Sequence, residues 1–255
     1  MALLLKVLRD LEAFLPYLVL VGGWVPLLYS RYLWGIKQEP LTTIDIDFGF
    51  KDVPYKGNWT VADQVVKMNY GEHHFAIGRA IPFVPIVKIE KKDLKADVEF
   101  ITGPETSSGI KERLIGREIL INTIQDFDIL FENTMMLDVE GFPITVPNPA
   151  IFVFHKLLTF DQRTALDKKS KDLFYVYYFL FFSPDHEKLS HMVRDLIQKH
   201  PAGRRVKVNI EKYFEDRDAK GPTMIAKGAF GSAIPGLISD ILDDAYQRIT
   251  ALIAQ

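Results

Sequence analysis

The 255-residue chain contains no cysteine, and that absence removes disulfides, thiolate metal sites and cysteine nucleophiles from consideration. Charge of one sign is not in excess either: 31 Lys and Arg against 33 Asp and Glu give a formal net charge of −2. No global field therefore draws in nucleic acid, and any contact with a polyanion has to be local. The most apolar run, Leu173 to Phe182, is about half the ~20 residues that a membrane-crossing helix needs. The N-terminal Met-Ala-Leu-Leu-Leu meets Lys6, Arg9, Asp10 and Glu12 too early for the apolar segment of a secretory leader. Internal repeats and low-complexity tracts are also missing. With hydrophobic residues at 48% and charged residues at 25%, the composition is that of a folded globular protein. The expectation is a soluble, cytoplasmic protein of two domains that share an interface.

What is present is organised around Thr42-Thr43-Ile44-Asp45-Ile46-Asp47-Phe48-Gly49-Phe50. Its β-branched and aromatic residues and its period of two predict a strand. On a strand, residues i and i+2 point to one face, so Asp45 and Asp47 project together. Two carboxylates held that close repel unless a cation neutralises them, and oxygen ligands at this spacing favour a hard divalent ion such as magnesium.

Upstream, leucines at 3, 4, 8, 11 and 15 predict a helix over residues 2–15 that covers a sheet. Leu18-Val19-Leu20-Val21 is wholly apolar and ends in Gly22-Gly23, the pattern of a buried strand turning sharply into a helix from Trp24 to Leu33. Downstream, Thr60 is placed to cap a helix from Val61 to Met68. Segments at Phe75–Ile77, Val84–Ile89 and Ala96–Ile101 predict an antiparallel meander. Ile119–Leu130 predicts a short strand and turn, and Met135–Val146, centred on Glu140-Gly141, a hairpin. At Val146-Pro147-Asn148-Pro149 two prolines end the strand and Asn148 can cap a helix, which marks a domain boundary. Beyond it, Ala150–Thr159, Lys171–Phe182, His186–His200 and Ile234–Ile253 have helical patterns, punctuated by Pro184, Pro201 and Pro222. The expected fold is α+β. Residues 1–147 form a domain with a mixed or antiparallel sheet flanked by helices, and residues 148–255 form a C-terminal helical domain.

A glycine turn at Gly22-Gly23 lets backbone approach a ligand, and the helix N-terminus behind it presents N–H groups to an anion. The same two residues also suit any tight strand-to-helix connection. Asp97 and Glu99, in Lys95-Ala96-Asp97-Val98-Glu99-Phe100-Ile101, share one strand face. If that strand neighbours residues 42–50, Asp97 completes a three-carboxylate cluster, and Glu99 reads as solvent-facing. Two metals bridged by such a cluster orient a nucleoside triphosphate and ease ionisation of an attacking hydroxyl.

Val21-Gly22-Gly23, Thr43-Ile44-Asp45-Ile46-Asp47-Phe48 and Ala96-Asp97-Val98 together resemble the motifs of the nucleotidyltransferase superfamily related to DNA polymerase beta. The resemblance implies that Gly22, Gly23 and Thr43 contact the nucleotide, that Asp45, Asp47 and Asp97 bind two magnesium ions, and that Asp97 activates the acceptor hydroxyl. The long gap from Gly23 to Asp45 is most similar to the AbiEii-type toxin and abortive-infection nucleotidyltransferases. Their helical half carries a lysine, an arginine and then Lys-Asp, matched here by Lys156, Arg163 and Lys171-Asp172. That implies triphosphate-holding roles for Lys156 and Lys171, with Asp172 positioning one of them or the acceptor. Trp24 departs from the small residue that often follows the family's glycines, and nothing after Phe182 resembles a motif.

Adjacent His73-His74 face opposite sides of a strand and do not jointly ligate an ion. Ser107-Ser108 and His155 lack an acid brought to the histidine. Arg204-Arg205-Val206-Lys207, with Lys168-Lys169 and Lys171, forms either a basic patch for an RNA acceptor or ordinary solvated surface. The functional expectation is magnesium-dependent transfer of NMP from an NTP to an acceptor hydroxyl on RNA, a protein or a small molecule. Its competitor is a catalytically silent nucleotide- or partner-binding module with the same fold, such as one controlled by an antitoxin. A metal-dependent hydrolase ranks last, because such sites usually recruit histidines.

Overall fold

In the computed structural model, which describes residues 1–41, 43–50, 54–74, 82–89, 93–229 and 238–254, the chain divides into two units. One is Met1–Val25 with Thr43–Pro147, the other Pro26–Thr42 with Asn148–Gln255. Among the described residues no helix is long and apolar enough to cross a membrane.

The first unit opens with helix α1 (Ala2–Asp10), whose leucine stripe is its buried face: Leu3, Leu4, Val7 and Leu8. A 3-10 turn, Glu12–Tyr17, feeds β1 (Leu18–Val21), which is buried at every position. Helix α2 (Trp24–Leu28) then carries the chain out of this unit. On its return, β2 (Ile46–Phe50) buries Ile46, Phe48 and Phe50. Helix α3 (Val61–Lys67) starts on a full capping box: Thr60 Oγ1 accepts from the Asp63 N–H at 3.1 Å, and Asp63 Oδ2 accepts from the Thr60 N–H at 2.8 Å. Next come β3 (Gly71–His74), β4 (Phe83–Ile89) and β5 (Leu94–Thr102). A short helix, α4 (Ser108–Ile110), runs into a π-helical turn, Lys111–Ile115. The unit ends with β6 (Ile121–Thr123), α5 (Ile129–Glu132) and a hairpin of β7 (Thr134–Val139) and β8 (Phe142–Pro147). The hairpin turns at Glu140-Gly141, where both φ angles are positive and Asp138 Oδ1 accepts from the Gly141 N–H at 2.9 Å.

The strand order is β3-β4-β5-β2-β1-β8-β7, with β6 paired to β5. The sheet is mixed: β1–β8, β2–β5 and β5–β6 are parallel, and the other pairs are antiparallel. Of the meander expected from sequence, Val84–Ile89 and Ala96–Ile101 fall on β4 and β5, which pair antiparallel, the segment Phe75–Ile77 lies outside the described residues, and β3 at Gly71–His74 was not expected. Across the parallel pair, Phe48 lies opposite Phe100 with ring centroids 6.1 Å apart. Both rings are fully buried, so truncating either to alanine costs about 3–5 kcal/mol.

The second unit is helical. It takes the π-helical stretch Tyr29–Trp34, ended by Gly35 at φ +63, and then α6 (Pro149–Thr159), capped by the Asn148 side chain, which accepts from the Ala150 N–H at 3.0 Å. After a 3-10 turn, Phe160–Gln162, come α7 (Leu166–Phe182), α8 (His186–Lys199), α9 (Gly203–Tyr213), α10 (Lys220–Ala229) and α11 (Ile238–Thr250). Leu173–Leu180 of α7 are buried at every position, as a helix surrounded by others must be. Phe179 packs against Tyr29, Trp34 and Phe152 with centroids 5.3, 5.1 and 5.0 Å away. Tyr178 donates to the Gln38 carbonyl at 2.5 Å and Tyr175 to the Leu41 carbonyl at 3.1 Å. These contacts make Pro26–Thr42 part of the helical unit. Helices α9 and α10 were not expected from sequence. The basic run at 204–207 proves to be the outer face of α9, which buries Val206, Ile210 and Tyr213.

Candidate active site

Strands β1 and β2 run antiparallel with Val21 opposite Asp47, which brings the Gly22-Gly23 turn to the N-terminal end of β2. Gly22 has φ +70, a left-handed conformation that costs an L-residue about 1–2 kcal/mol. A Cβ there would stand 1.9 Å from Asp47 Oδ2. Position 22 is glycine because the carboxylate occupies the space a side chain would need. Gly49, two residues along β2, faces the same side as Asp47. There the rings of Phe127 and Phe131, 2.7 to 2.9 Å from an ideal Cβ, close the sheet face beyond the acid.

Asp45 lies one residue ahead of β2, in an exposed bend, with half-buried Thr43 before it. Its backbone is pinned: Trp24 Nε1 donates to the Asp45 carbonyl at 2.9 Å. The indole is 5% exposed, so the large residue after the glycines packs in the core and spends its one polar atom on the chain that carries Asp45.

The parallel neighbour β5 presents its own acids. Asp47 lies opposite Glu99 and Ile46 opposite Val98, and one step back along that register brings Asp97 level with Asp45. Asp97 and Glu99, both half-buried, therefore face the same side of the sheet as Asp47. Asp47 lies at the start of β2 with Asp45 just ahead of it, and Asp97 lies within β5, but the residue directly across from Asp47 is Glu99. Its Oε2 accepts from Asn122 Nδ2 at 3.1 Å. Sequence reasoning read Glu99 as solvent-facing, whereas it is half-buried, and it passed over Asn122: the period-two step from Asp97 was visible, whereas the register that decides which acid meets Asp47 was not. Among the described residues no three acids or histidines group closely enough to hold a metal by themselves. Magnesium, however, typically takes one or two carboxylates and completes its shell with water and substrate phosphates. Asp45 and Asp47, hard oxygen donors at one strand end, fit that use.

In the second unit, Lys156, Arg163 and Asp172 form one ion cluster. Lys156 Nζ donates to Asp172 Oδ1 at 2.5 Å, and Arg163 Nε donates to Asp172 Oδ2 at 3.1 Å. The Lys156 ammonium also lies 5.6 Å from the centroid of the Phe152 ring. Burial works against charge on Asp172, but the two cations outweigh it and hold the carboxyl below the usual carboxylate range. Lys156 is thereby buried against Asp172 rather than open to a triphosphate, unlike the sequence expectation. Arg163 keeps 43% of its side chain exposed. Lys171 is half-buried and has no ionic or hydrogen-bonding partner among the described residues.

No curated protein matches the chain. Among solved structures, the crystal structure of an antigenic nucleotidyltransferase-like protein from Paracoccidioides brasiliensis is similar, at 14% identity and a TM-score of 0.45, over 81% of this chain and 93% of that one. A family model described as Nucleotidyltransferase matches residues 1–191. That match takes in the glycine turn and the segments carrying Asp45, Asp47, Asp97 and Glu99, and the chain belongs to the nucleotidyltransferase family.

Proposed function

We propose that the protein moves a nucleoside monophosphate from a nucleoside triphosphate to an acceptor hydroxyl at the sheet end formed by Gly22, Asp45, Asp47 and Asp97. The observation that carries this is the apposition of Gly22 to Asp47, a backbone turn cleared of side chain beside an acid. Like charges directly opposite each other destabilise a sheet, so Asp47 across from Glu99 is a position where a cation is favourable. Asp45 and Asp47 hold magnesium, which when bound neutralises phosphate charge and eases ionisation of the acceptor hydroxyl. Asp97 takes the acceptor's proton, the acceptor oxygen bonds to the α-phosphorus, and pyrophosphate leaves. Gly22, Gly23 and Thr43 offer backbone and hydroxyl donors to the phosphates. In the helical unit, Lys156 and Asp172 hold Arg163 in place, and Lys171 is a cation with no carboxylate partner among the described residues. The Lys156, Arg163 and Lys171-Asp172 pattern supports an AbiEii-type member with RNA, a protein or a small alcohol as acceptor.

The test is incubation with labelled nucleoside triphosphates, magnesium and a pool of transfer RNA, proteins and small alcohols. Label should transfer with wild type and fall below detection with Asp47→Asn; absence of transfer to every acceptor would overturn the proposal. The burial of Lys156 against Asp172 favours a second outcome, a binding module without turnover. Calorimetry would then find magnesium-dependent nucleotide binding with no pyrophosphate released.

A further inference from the structure

Beyond the opposite end of the same strands lie two cations, Lys56 and Arg113. Because β2 and β5 are parallel, the chain leaves both at one edge, away from Asp45 and Asp47. Three residue steps along β2, about 10 Å at about 3.3 Å each, separate Asp47 from Phe50. The N-terminal end of β1 lies at this far edge too, with Leu18 opposite Phe50. Tyr55 and Lys56, which follow β2, and Ser107, Gly109, Ile110 and Arg113, which follow β5, line a half-open pocket of about 310 Å³.

The walls of this pocket are braced. The Tyr55 ring packs edge-on against Tyr17 at 5.0 Å and lies 6.1 Å from Phe14, and its hydroxyl donates to the Trp59 carbonyl at 2.5 Å. Behind the Ser107 turn, buried Thr102 Oγ1 donates to Thr106 Oγ1 at 2.5 Å. Gly109 leaves room, since an added Cβ would meet nothing within 4 Å. Among the described residues that line the pocket, the charge is of one sign. Lys56 and Arg113 are exposed and have no carboxylate partner among the described residues. The acid next to Arg113, Glu112, is held by Arg117 at 2.8 Å.

We propose that this pocket binds a small organic phosphate, with the phosphate on Arg113 and Lys56 and the apolar body against Tyr55 and Ile110. A guanidinium takes phosphate oxygens in pairs and an ammonium adds a point charge. A pocket of about 310 Å³ is at the lower end of the range for small-molecule sites. The pocket is separate from the proposed transfer site and is independent of whether transfer occurs.

Calorimetric titration of the full chain with phenyl phosphate, inorganic phosphate and benzoate tests this, with far-UV circular dichroism to confirm that each variant is folded. Wild type and Asp47→Asn are expected to bind one phenyl phosphate with equal affinity, and more tightly than either other probe. Lys56→Gln/Arg113→Gln is expected to weaken binding at least ten-fold, and Arg113→Lys to fall between, since it keeps the charge and loses the fork. No saturable binding by wild type, unchanged binding by the double variant, loss of binding in Asp47→Asn, or benzoate binding as tightly as phenyl phosphate would each overturn the assignment.

Discussion

Gly22 and Gly35 share a left-handed backbone, φ +70 and +63, and differ in their surroundings: an added Cβ would strike Asp47 at Gly22 and meet nothing within 4 Å at Gly35. Alanine at either position carries a backbone cost of about 1–2 kcal/mol, measurable by urea denaturation. Only Gly22→Ala also displaces the Asp47 carboxylate, so it alone is expected to abolish nucleotidyl transfer. Trp24→Phe keeps most of the buried ring and removes the donor to the Asp45 carbonyl. It is expected to lower stability by about 0.5–1.5 kcal/mol and to reduce kcat roughly ten-fold for a loss of about 1.4 kcal/mol in positioning, with little change in nucleotide KM. Asp47 was legible in the sequence as a strand acid, because the period of two is written within one short segment; Asp45, expected on the same strand, stands instead in the exposed bend one residue ahead of it. The partner across from Asp47 was not, since the choice between Asp97 and Glu99 depends on a register between segments about fifty residues apart. The role of Trp24 was equally hidden, because an indole that packs and an indole that donates are written with the same letter.

Helices α6 and α7 are joined by Lys156 and Asp172, with Arg163 from the turn between them. Lys156→Met leaves a buried carboxylate short of its main cation and is expected to cost about 3–5 kcal/mol. Lys156→Met/Asp172→Leu should recover most of that, as chemical denaturation of the two variants would reveal. A second ionic knot ties the Phe160–Gln162 turn to α7 and α9: Asp161 accepts from Lys169 at 3.2 Å, from Lys212 at 2.9 Å and from the Tyr213 hydroxyl. The Tyr213 hydrogen bond, ahead of those from Lys212 and Lys169, lowers the Asp161 carboxyl to about 2. Because the folded value lies below the unfolded one, this contribution is present above about pH 4 and disappears as the pH falls towards 2. The Tm gap between wild type and Asp161→Asn is therefore expected to be widest near neutral pH and to close on acidification. The capped elements, α3 behind Thr60 and α6 behind Asn148, were readable because caps are local chemistry. Helix α9 was masked by its exposed cations, and α10 by Gly221-Pro222, which reads as a break but lies in a first turn that needs no intrahelical N–H from proline.

The linear sequence divides most naturally at Pro147-Asn148, and by that division the helical half would stand on its own. The contacts assign Pro26–Thr42 to the helical unit as well, which no composition shift announces. Without that segment, Tyr178 and Tyr175 lose their carbonyl acceptors at Gln38 and Leu41, at about 1–3 kcal/mol each, and Phe179 loses the rings of Tyr29 and Trp34. Together these losses rival the 5–15 kcal/mol that holds a typical domain folded, by order of magnitude. Residues 148–255 alone are expected to show no cooperative thermal transition and a collapsed near-UV circular dichroism signal, where the full chain shows both. The same excursion of the chain sets an order of events during synthesis. Tyr29 and Trp34 leave the ribosome early, yet Phe179 follows about 140 residues after Thr42, about 7–27 s later at ordinary elongation rates. For that interval the newborn chain holds an aromatic segment out to solvent while the sheet is being completed, so its exposure to chaperones and proteases peaks before release rather than after it.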